Sequence, residues 1–262
     1  MALPIRSPDE IDAIRQAGAN ARRVLNAVCD ACRPGTTTGE LDDLASVLID
    51  EFGAVSIKGV TGPSDPTPFP GTICVNVNEE AAHGCPGTRI LREGDLVSVD
   101  VSVQVDGWWA DVAEPVVVGD AGGRAAGLRE AAGEVFEAGL STIGPGVAWS
   151  QVAGAVREAA RRRGVGLVVG LDGHGVGREL HEAPVLPVAE SAAAARDLIF
   201  RPGMVVTLEP TVTEGDGATL VLDNAWTVVT IDRGWVCFRE RTLAITRAGV
   251  VDLTRLEPGQ EA

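Results

Sequence analysis

The feature that most limits the fold of this chain is a pair of predicted helices joined by a Pro-Gly turn. A capping box at Ser7-Pro8-Asp9-Glu10 predicts the start of the first helix. Apolar residues then recur at helical spacing until Pro34-Gly35, which predicts a turn. Thr37 and Glu40 form a second capping box, and Gly53 ends the helix that follows. Two helices therefore precede the first long strands.

The same order of signals recurs 111 residues further along the chain. Residues 125–140 and 152–163 have helical patterns, and Pro145-Gly146 lies between them. Each Pro-Gly turn precedes a stop glycine by 18 residues, Gly164 being the second stop. This spacing predicts a duplicated unit, with coincidence as the alternative. The predicted units are a single domain over residues 1–262 and its two related halves, about 1–120 and 121–262.

Runs rich in β-branched residues follow each helix pair. Because the helices are segregated from the strands, the pattern predicts an α+β fold. Residues 59–71 contain four prolines, which exclude a helix or a central strand and predict a shaped loop over a site. The predicted strands are residues 72–77, 96–105, 108–118, 165–169, 204–213, 220–222, 226–231 and 236–246.

The charge balance limits the partners of the chain. There are 37 acidic and 22 basic side chains, which give a net charge of -15. This charge argues against binding to nucleic acid or to an anionic membrane, because either would need a basic face. Five cysteines and the lack of a basic-then-apolar leader predict a cytoplasmic protein with reduced thiols. No apolar run approaches the roughly 20 residues that span a bilayer.

Two acidic residues lie in a predicted hairpin. Asp106-Gly107, between two β-branched runs, is a strong signal for a two-residue hairpin loop. With this loop, Asp100 and Asp111 become diagonal neighbours on one face of the hairpin. A solvated strand face is the alternative, but the valines that flank Asp100 favour a buried position. No lysine or arginine lies nearby in sequence, so a metal ion is the simplest partner for these carboxylates.

Three further residues extend this set. Glu209 lies in an apolar run, and glycines flank His174 in Gly173-His174-Gly175-Val176-Gly177. Glu240 is either a ligand or the ion-pair partner of the neighbouring arginines, and a lone histidine is more often structural. Together, four carboxylates and one imidazole are typical of a paired-metal hydrolase site for manganese, iron, cobalt or zinc. Two such ions activate water and stabilise a tetrahedral intermediate.

Seven motifs occur in a characteristic order along the chain. They are Ala82-His83-Gly84, Val99-Asp100-Val101, Gly107 to Asp111, Gly173 to Gly177, His181-Glu182-Ala183-Pro184, Pro202 to Pro210, and Glu240 with Thr242. This order resembles that of the type I methionine aminopeptidases, and the resemblance covers nearly the whole chain. It implies their pita-bread fold, in which an antiparallel sheet is covered by helices and the two halves are related by a pseudo-twofold axis.

The resemblance also implies roles for individual residues. His83 and His181 match the histidines that contact the substrate and the intermediate, and Glu209 matches the ligand that also shuttles a proton. The implied function is that of a metal-dependent aminopeptidase, which releases the N-terminal residue of a peptide or protein. Methionine is the residue that the resemblance favours. We expect it to act as a monomer. The implied ligands of the two divalent ions are Asp100, Asp111, His174, Glu209 and Glu240, with Asp111 and Glu240 bridging the ions.

The chain departs from this family near the site. The usual closing motif Gln-Phe-Glu-His-Thr becomes Phe238-Arg239-Glu240-Arg241-Thr242, and these arginines either lower the basicity of Glu240 or orient it. Phe69 and Trp226 are the predicted aromatic contacts of the substrate, and Leu180 replaces a phenylalanine. A pocket of this kind discriminates by only about 1–3 kcal/mol per methylene. A related hydrolase with another specificity in a specialised pathway is therefore the alternative function.

Two further interpretations concern partners. Members of the family that act at the ribosome carry lysines between the Glu-Pro strand and the tryptophan, but residues 213–219 of this chain are acidic. Because ribosomal RNA would need the opposite charge, we predict an accessory enzyme that does not dock on the ribosome. A non-catalytic binding protein that retains the fold is the remaining alternative, which the complete set of ligand positions disfavours.

Overall fold

The computed structural model describes residues 3–61, 66–120, 122–189 and 198–259. The helices form where the sequence predicts them. Ser7 and Thr37 each accept a hydrogen bond from the backbone N–H three residues later, as in the predicted capping boxes. Gly53 and Gly164 adopt left-handed φ angles of 62° and 67° where the helices end. The helices are α1 (Pro8–Ala31), α2 (Thr38–Glu51), α3 (Arg124–Thr142) and α4 (Trp149–Arg163).

The strands of the described residues form four antiparallel sheets, so the α+β prediction is confirmed. The first sheet has the order β1-β4-β2, with β5 paired to β4, and the largest has the order β15-β14-β9-β7-β8. Two three-stranded sheets have the orders β13-β10-β6 and β11-β12-β3. The strands are β1 (Val55–Ser56), β2 (Cys74–Val77), β3 (Glu80–Ala82), β4 (Leu96–Val105), β5 (Trp108–Val117), β6 (Gly166–Leu167), β7 (Gly173–Gly175), β8 (Glu182–Leu186), β9 (Val205–Leu208), β10 (Thr211–Thr213), β11 (Thr219–Val221), β12 (Val228–Thr230), β13 (Val236–Phe238), β14 (Arg241–Thr246) and β15 (Gly249–Asp252).

The β4–β5 hairpin has the predicted loop and register. Asp106 and Gly107 have φ angles of 50° and 77°, the positive values that a type I′ loop requires. Position 100 pairs with position 113, and Ser102 pairs with Asp111. Asp100 and Asp111 are therefore diagonal neighbours on one face, as predicted.

Two runs predicted as single strands, residues 204–213 and 236–246, are each interrupted. The first run passes from β9 in the five-stranded sheet to β10 in a three-stranded sheet, and the second run passes back from β13 in that three-stranded sheet to β14 in the five-stranded sheet. Pro210, which has no N–H to donate, lies in the first interruption. The prediction of continuous strands is wrong because β-branched composition marks a strand without showing which sheet it joins.

The two interruptions face each other, and each holds a glutamate. β9 pairs with β14, and β10 pairs with β13, in one common antiparallel register. That register places Glu209 opposite Glu240. The break in both strands therefore brings two carboxylates together where the two sheets meet.

Apolar packing surrounds this meeting point on both sides. One core packs α1 and α2 against β2 and β4, and includes Leu25, Leu41 and Val99. Another packs α3 and α4 against the largest sheet, and includes Phe136 and Leu208. A third cluster lies between them and draws residues from both halves of the chain. Each helix pair precedes its own strands, but the duplication of one half from the other stays a prediction.

Two further points concern loops and membranes. The predicted loop at residues 59–71 includes an antiparallel bridge between Thr61 and Pro68. Residues 62–65, with Pro63, lie outside the described residues. Among the described helices, none combines the length and the apolar character needed to cross a membrane.

Candidate metal centre and active site

The hairpin and the meeting point of the two sheets bring the predicted ligands together. Asp111, His174 and Glu240 are buried, and one ligand atom from each lies within 4.8 Å of the other two. Oε1 of Glu209 lies 3.5 Å from Nε2 of His174. The carboxyl group of Asp100 contacts that of Asp111. All five predicted ligands therefore form one cluster.

Two oxygens of this cluster, Oδ1 of Asp100 and Oε1 of Glu240, are buried and have no hydrogen-bond partner in the part of the chain that the structure describes. Arg239 and Arg241 do not satisfy Glu240, because each binds the carboxylate of Glu114 at 2.6 Å. The alternative in which Glu240 is a plain ion-pair partner is thus excluded. Burying an unpaired carboxylate is unfavourable unless a cation compensates it, so these oxygens fit a divalent metal ion.

Burial also changes the protonation of the cluster. It raises the pKa of Asp100 and Glu240 well above the usual range, and neighbouring acids add to the effect. Burial raises the pKa of Glu209 to about 8. For His174, burial and then the nearby His181 lower the pKa to about 4. The cluster thus combines a neutral imidazole with crowded carboxyl groups. A bound cation would favour the ionised form of these carboxyl groups and would accept all of them as ligands.

Hydroxyl groups that the sequence analysis did not single out hold the ligands in place. Ser102 Oγ donates a 2.8 Å hydrogen bond to Oδ1 of Asp111. Thr207 Oγ1 donates at 2.6 Å to Oε1 of Glu209 and accepts the backbone N–H of His174 at 3.0 Å. Such contacts fix the orientation of ligands.

The signal for these hydroxyl groups is their spacing. Ser102, Thr207 and Thr242 each lie two residues from a predicted ligand, which is the period of one strand face. Thr242 Oγ1 accepts the backbone N–H of Asp111 at 3.0 Å and donates to its carbonyl oxygen at 2.9 Å. Thr242 already belongs to the motif of Glu240, and a search for Ser or Thr at this spacing would have found Ser102 and Thr207 as well.

The glycines around His174 are required by close packing. A Cβ atom on Gly173 would lie 2.7 Å from the carbonyl oxygen of Thr207, and one on Gly175 would lie 3.0 Å from that of Glu182. The neighbouring strands β8 and β9 therefore approach β7 too closely for side chains. His174 Nδ1 lies 2.9 Å from the Gly175 carbonyl oxygen, which leaves Nε2 to face the cluster.

The remaining predicted site residues surround the cluster. The rings of His174 and His181 have centroids 4.4 Å apart. The Trp226 ring makes edge contacts with His83 at 5.6 Å and with Phe69 at 5.2 Å. The indole N–H of Trp226 donates to the carbonyl oxygen of Thr67 at 3.0 Å, which ties the proline-containing loop to the site.

The sequence analysis missed Cys74, a residue next to the predicted ligand Asp100. Cys74 pairs with Asp100 across β2 and β4, and it belongs to the same apolar cluster as Phe69, Leu180 and Trp226. Burial raises the pKa of its thiol well above the usual range, and the nearby Asp100 adds to this. Cys74 is therefore a neutral, apolar neighbour of Asp100. An isolated cysteine in a β-branched strand carries no signal that separates it from core.

Comparison with known proteins is consistent with this geometry. Residues 12–247 match the model of metallopeptidase family M24. The chain is 36% identical over 260 residues to methionine aminopeptidase 1 of Mycobacterium tuberculosis, covering 96% of this chain and 95% of that protein. It is 34% identical over 252 residues to methionine aminopeptidase 1 of Bacillus subtilis, covering 96% and 98% of the two chains.

Solved structures are similar over the same extent. The crystal structure of methionine aminopeptidase from Thermotoga maritima has a TM-score of 0.90 and 32% identity, and covers 97% of this chain and all of that one. Prolidase from Pyrococcus furiosus has a TM-score of 0.75 and 21% identity, and is covered over 66% of its length. The second likeness concerns the fold alone.

Proposed function

This chain belongs to metallopeptidase family M24, and we propose that it removes an N-terminal methionine from peptides or proteins with the help of two divalent metal ions. It has the pita-bread fold and the activity class of a metal-dependent aminopeptidase. The observation that carries the proposal is the cluster of five predicted ligands, in which Oδ1 of Asp100 and Oε1 of Glu240 are buried without a hydrogen-bond partner among the described residues.

The donor set supports two ions rather than one. Four carboxylates and one imidazole offer more ligand atoms than the about four to six positions of a single transition metal. Asp100, Asp111, His174, Glu209 and Glu240 would hold the ions. Such ions supply Lewis acidity, which activates water and polarises the first peptide carbonyl. Manganese, iron, cobalt and zinc all suit this mixture of oxygen and nitrogen ligands.

The side chains perform the proton transfers and hold the substrate. Glu209 accepts the proton of the attacking water and passes it to the leaving amine, while the Thr207 hydroxyl keeps its carboxylate oriented. His83 and His181 hydrogen-bond the carbonyl group as charge develops on its oxygen. Burial, and then the adjacent His181, lower the pKa of His83, so its ring is neutral at physiological pH.

The pocket for the first side chain lies beside these histidines. Phe69 and Trp226 form an aromatic corner, and Cys74 and Leu180 belong to the same apolar cluster. An unbranched, polarisable side chain such as methionine suits an apolar pocket that contains aromatic edges. A related hydrolase with a different first-residue preference is the second candidate, because Leu180 leaves one wall of the pocket aliphatic.

The cellular setting is also proposed. All five cysteines are free thiols, which supports the reducing environment of the cytoplasm. The peptide N-terminus is the partner that an aminopeptidase requires. The acidic segment at residues 213–219 supports action away from ribosomal RNA. The monomeric state stays a prediction.

A peptide panel tests the proposed function. The chain, purified with a chelator and reloaded with manganese, iron, cobalt or zinc, is assayed on short peptides that differ in their first two residues. Release of N-terminal methionine, dependent on added metal, is expected. Release of another residue in preference to methionine would favour the second candidate. No release from any peptide by protein that binds metal would refute the aminopeptidase.

A further inference from the structure

Two arginines flank Glu240, and both turn away from its carboxylate. Arg239 donates to Oε1 of Glu114 from Nε at 3.0 Å and from Nη2 at 2.6 Å. Arg241 donates from Nη2 to Oε2 of Glu114 at 2.6 Å. The two cations therefore grip both oxygens of a single carboxylate on β5. Glu240 itself faces the opposite side, among the metal ligands.

Glu114 is ionised although its carboxyl group is partly buried. Burial would raise the pKa of this carboxyl group, but Arg241 and Arg239 hold it below the usual range. Arg22, from α1, lies 3.8 Å from the same carboxylate. Asp252, from β15, lies 3.6 Å from Nε of Arg241. Glu114 and Arg241 thus connect β5 with the first helix, through Arg22, and with β15, through Asp252.

This group of charges lies where the first sheet meets the largest sheet. β5 belongs to the first sheet and β14 to the largest sheet. An isolated bridge between Ala113 and Glu240 links the backbones of these two regions, with N···O distances of 3.3 Å and 3.1 Å. Asp111 lies two residues before Ala113 on the same strand. This bridge therefore helps to set the separation of Asp111 and Glu240, together with the two hydrogen bonds between the Thr242 hydroxyl and the backbone of Asp111.

Arg241 reinforces that contact directly. Its Nη1 atom donates to the carbonyl oxygen of Ala113 at 3.0 Å and to that of Glu240 at 2.6 Å. One guanidinium group thus binds both carbonyl oxygens of the bridge and the Glu114 carboxylate. Only a planar fork with several donors makes all these bonds together, and a lysine ammonium group does not reproduce them.

We infer that Arg241, anchored by Glu114, is a positioning residue that sets the place of Glu240 in the metal centre. The inference rests on the proposed function, because it takes Asp111 and Glu240 as ligands. Arg241 does not contact the substrate. It acts by holding the backbone from which Glu240 projects, and it makes no contact with the Glu240 carboxylate.

Metal affinity tests this inference independently of turnover. We compare wild type with Arg241→Gln, Arg241→Lys and Glu114→Gln, and use Arg124→Gln as the matched control. Arg124 forms a similar pair with Glu214 at 2.5 Å, on the surface and away from the cluster. The dissociation constant for Co²⁺ is measured by competition with a chelator, at a temperature at which thermal unfolding shows every variant folded. The visible absorption bands of bound Co²⁺ report the ligand geometry.

The expected loss of Co²⁺ affinity is about 10–100-fold for Arg241→Gln, as for other groups that orient ligands. Arg241→Lys and Glu114→Gln should lose affinity too, and all three should shift the Co²⁺ bands. Arg124→Gln should change neither. The inference is overturned if Arg241→Gln and Arg241→Lys lower the thermal stability but keep the wild-type Co²⁺ affinity and absorption bands. Arg241 would then be a purely structural residue.

The proposed function has a separate control. Glu240→Gln, which alters the ligand itself, should weaken Co²⁺ binding whatever Arg241 does. If wild type and Glu240→Gln bind Co²⁺ equally, the metal centre is wrongly assigned and the inference falls with it. If Glu240→Gln loses affinity and the Arg241 variants do not, the inference alone is refuted.

Discussion

Thr207 Oγ1 donates a 2.6 Å hydrogen bond to Oε1 of Glu209, two residues further along the same chain segment. The same hydroxyl accepts the backbone N–H of His174 at 3.0 Å. One side chain thus joins two of the five proposed ligands and orients the carboxylate that is proposed to move the proton.

Replacing Thr207 by valine removes both bonds with little change in shape. Because the buried N–H of His174 then loses its partner, we expect a stability loss of about 1–3 kcal/mol. Metal affinity should fall about 10–100-fold, since the contact orients a ligand. Chelator competition and thermal unfolding measure the two effects. Thr230→Val is the control: Thr230 is buried and donates at 2.8 Å to the Gly234 carbonyl oxygen outside the cluster, so it should cost stability alone.

Glu209→Gln tests the proton shuttle. The amide keeps the size of the carboxylate but does not accept and return a proton, so peptide hydrolysis should fall by at least about 100-fold. The circular dichroism spectrum should stay that of wild type. Turnover near the wild-type rate, measured by release of methionine from a short peptide, would contradict the assigned role.

The metal-free protein should lose stability as the pH rises from 6.5 to 8. Burial raises the pKa of Glu209 to about 8 and that of Asp100 and Glu240 well above the usual range. The folded state therefore binds more protons than the unfolded state across this window, and the free energy of unfolding falls with pH. The pKa of His174 is lowered to about 4, which makes the free energy of unfolding rise with pH. That rise ends once the histidine of the unfolded chain is neutral, above about pH 6.5.

Thermal unfolding in a chelator at pH 6.5, 7.25 and 8 measures this dependence. An added divalent ion should raise the melting temperature most at pH 8, because it stabilises the ionised carboxylates. A melting temperature that rises with pH in the metal-free protein would show that these carboxyl groups ionise freely in the folded state.

Trp226→Leu tests the pocket. The substitution removes the edge contacts to His83 and Phe69 and the hydrogen bond to Thr67. The value of kcat/KM for peptides that begin with methionine should fall by about 10–200-fold relative to those that begin with alanine. Arg124→Gln, which alters the surface ion pair with Glu214, should leave this ratio unchanged. An equal loss for both kinds of peptide would place Trp226 outside the pocket.

Cosedimentation tests the predicted independence from the ribosome. Within residues 213–219, Glu214 is paired with Arg124, while Asp216 is exposed and lies next to Asp232. This surface should repel ribosomal RNA most strongly at low salt, where charges are least screened. We expect no cosedimentation with ribosomes at low ionic strength. Salt-sensitive binding of the protein to ribosomes would contradict the prediction of an accessory enzyme.

Local signals determined much of this protein. Capping boxes and stop glycines set the bounds of the helices because they act within one turn of the chain. The Asp106-Gly107 loop fixed the register of β4 and β5, and with it the pairing of Ser102 with Asp111. The sequence also singled out the five residues of the cluster, through carboxylates in apolar runs and a histidine between glycines, and their role as metal ligands stays a prediction.

Other features depend on which strands meet. The breaks at Glu209 and Glu240 come from strands that pass between sheets, and β-branched composition is the same on both sides of each break. Cys74 lies beside Asp100 only because β2 pairs with β4. No signal within either strand reveals that partnership.

The arginines beside Glu240 show the division most clearly. The sequence determined that two cations flank a carboxylate, and it left open whether they pair with it or orient it. The tertiary structure decided the matter by placing Glu114 within 2.6 Å of both arginines, from a strand more than a hundred residues away. Alternate residues face opposite sides of a strand, so Glu240 faces the metal ligands while its neighbours bind an anion that only folding brings near.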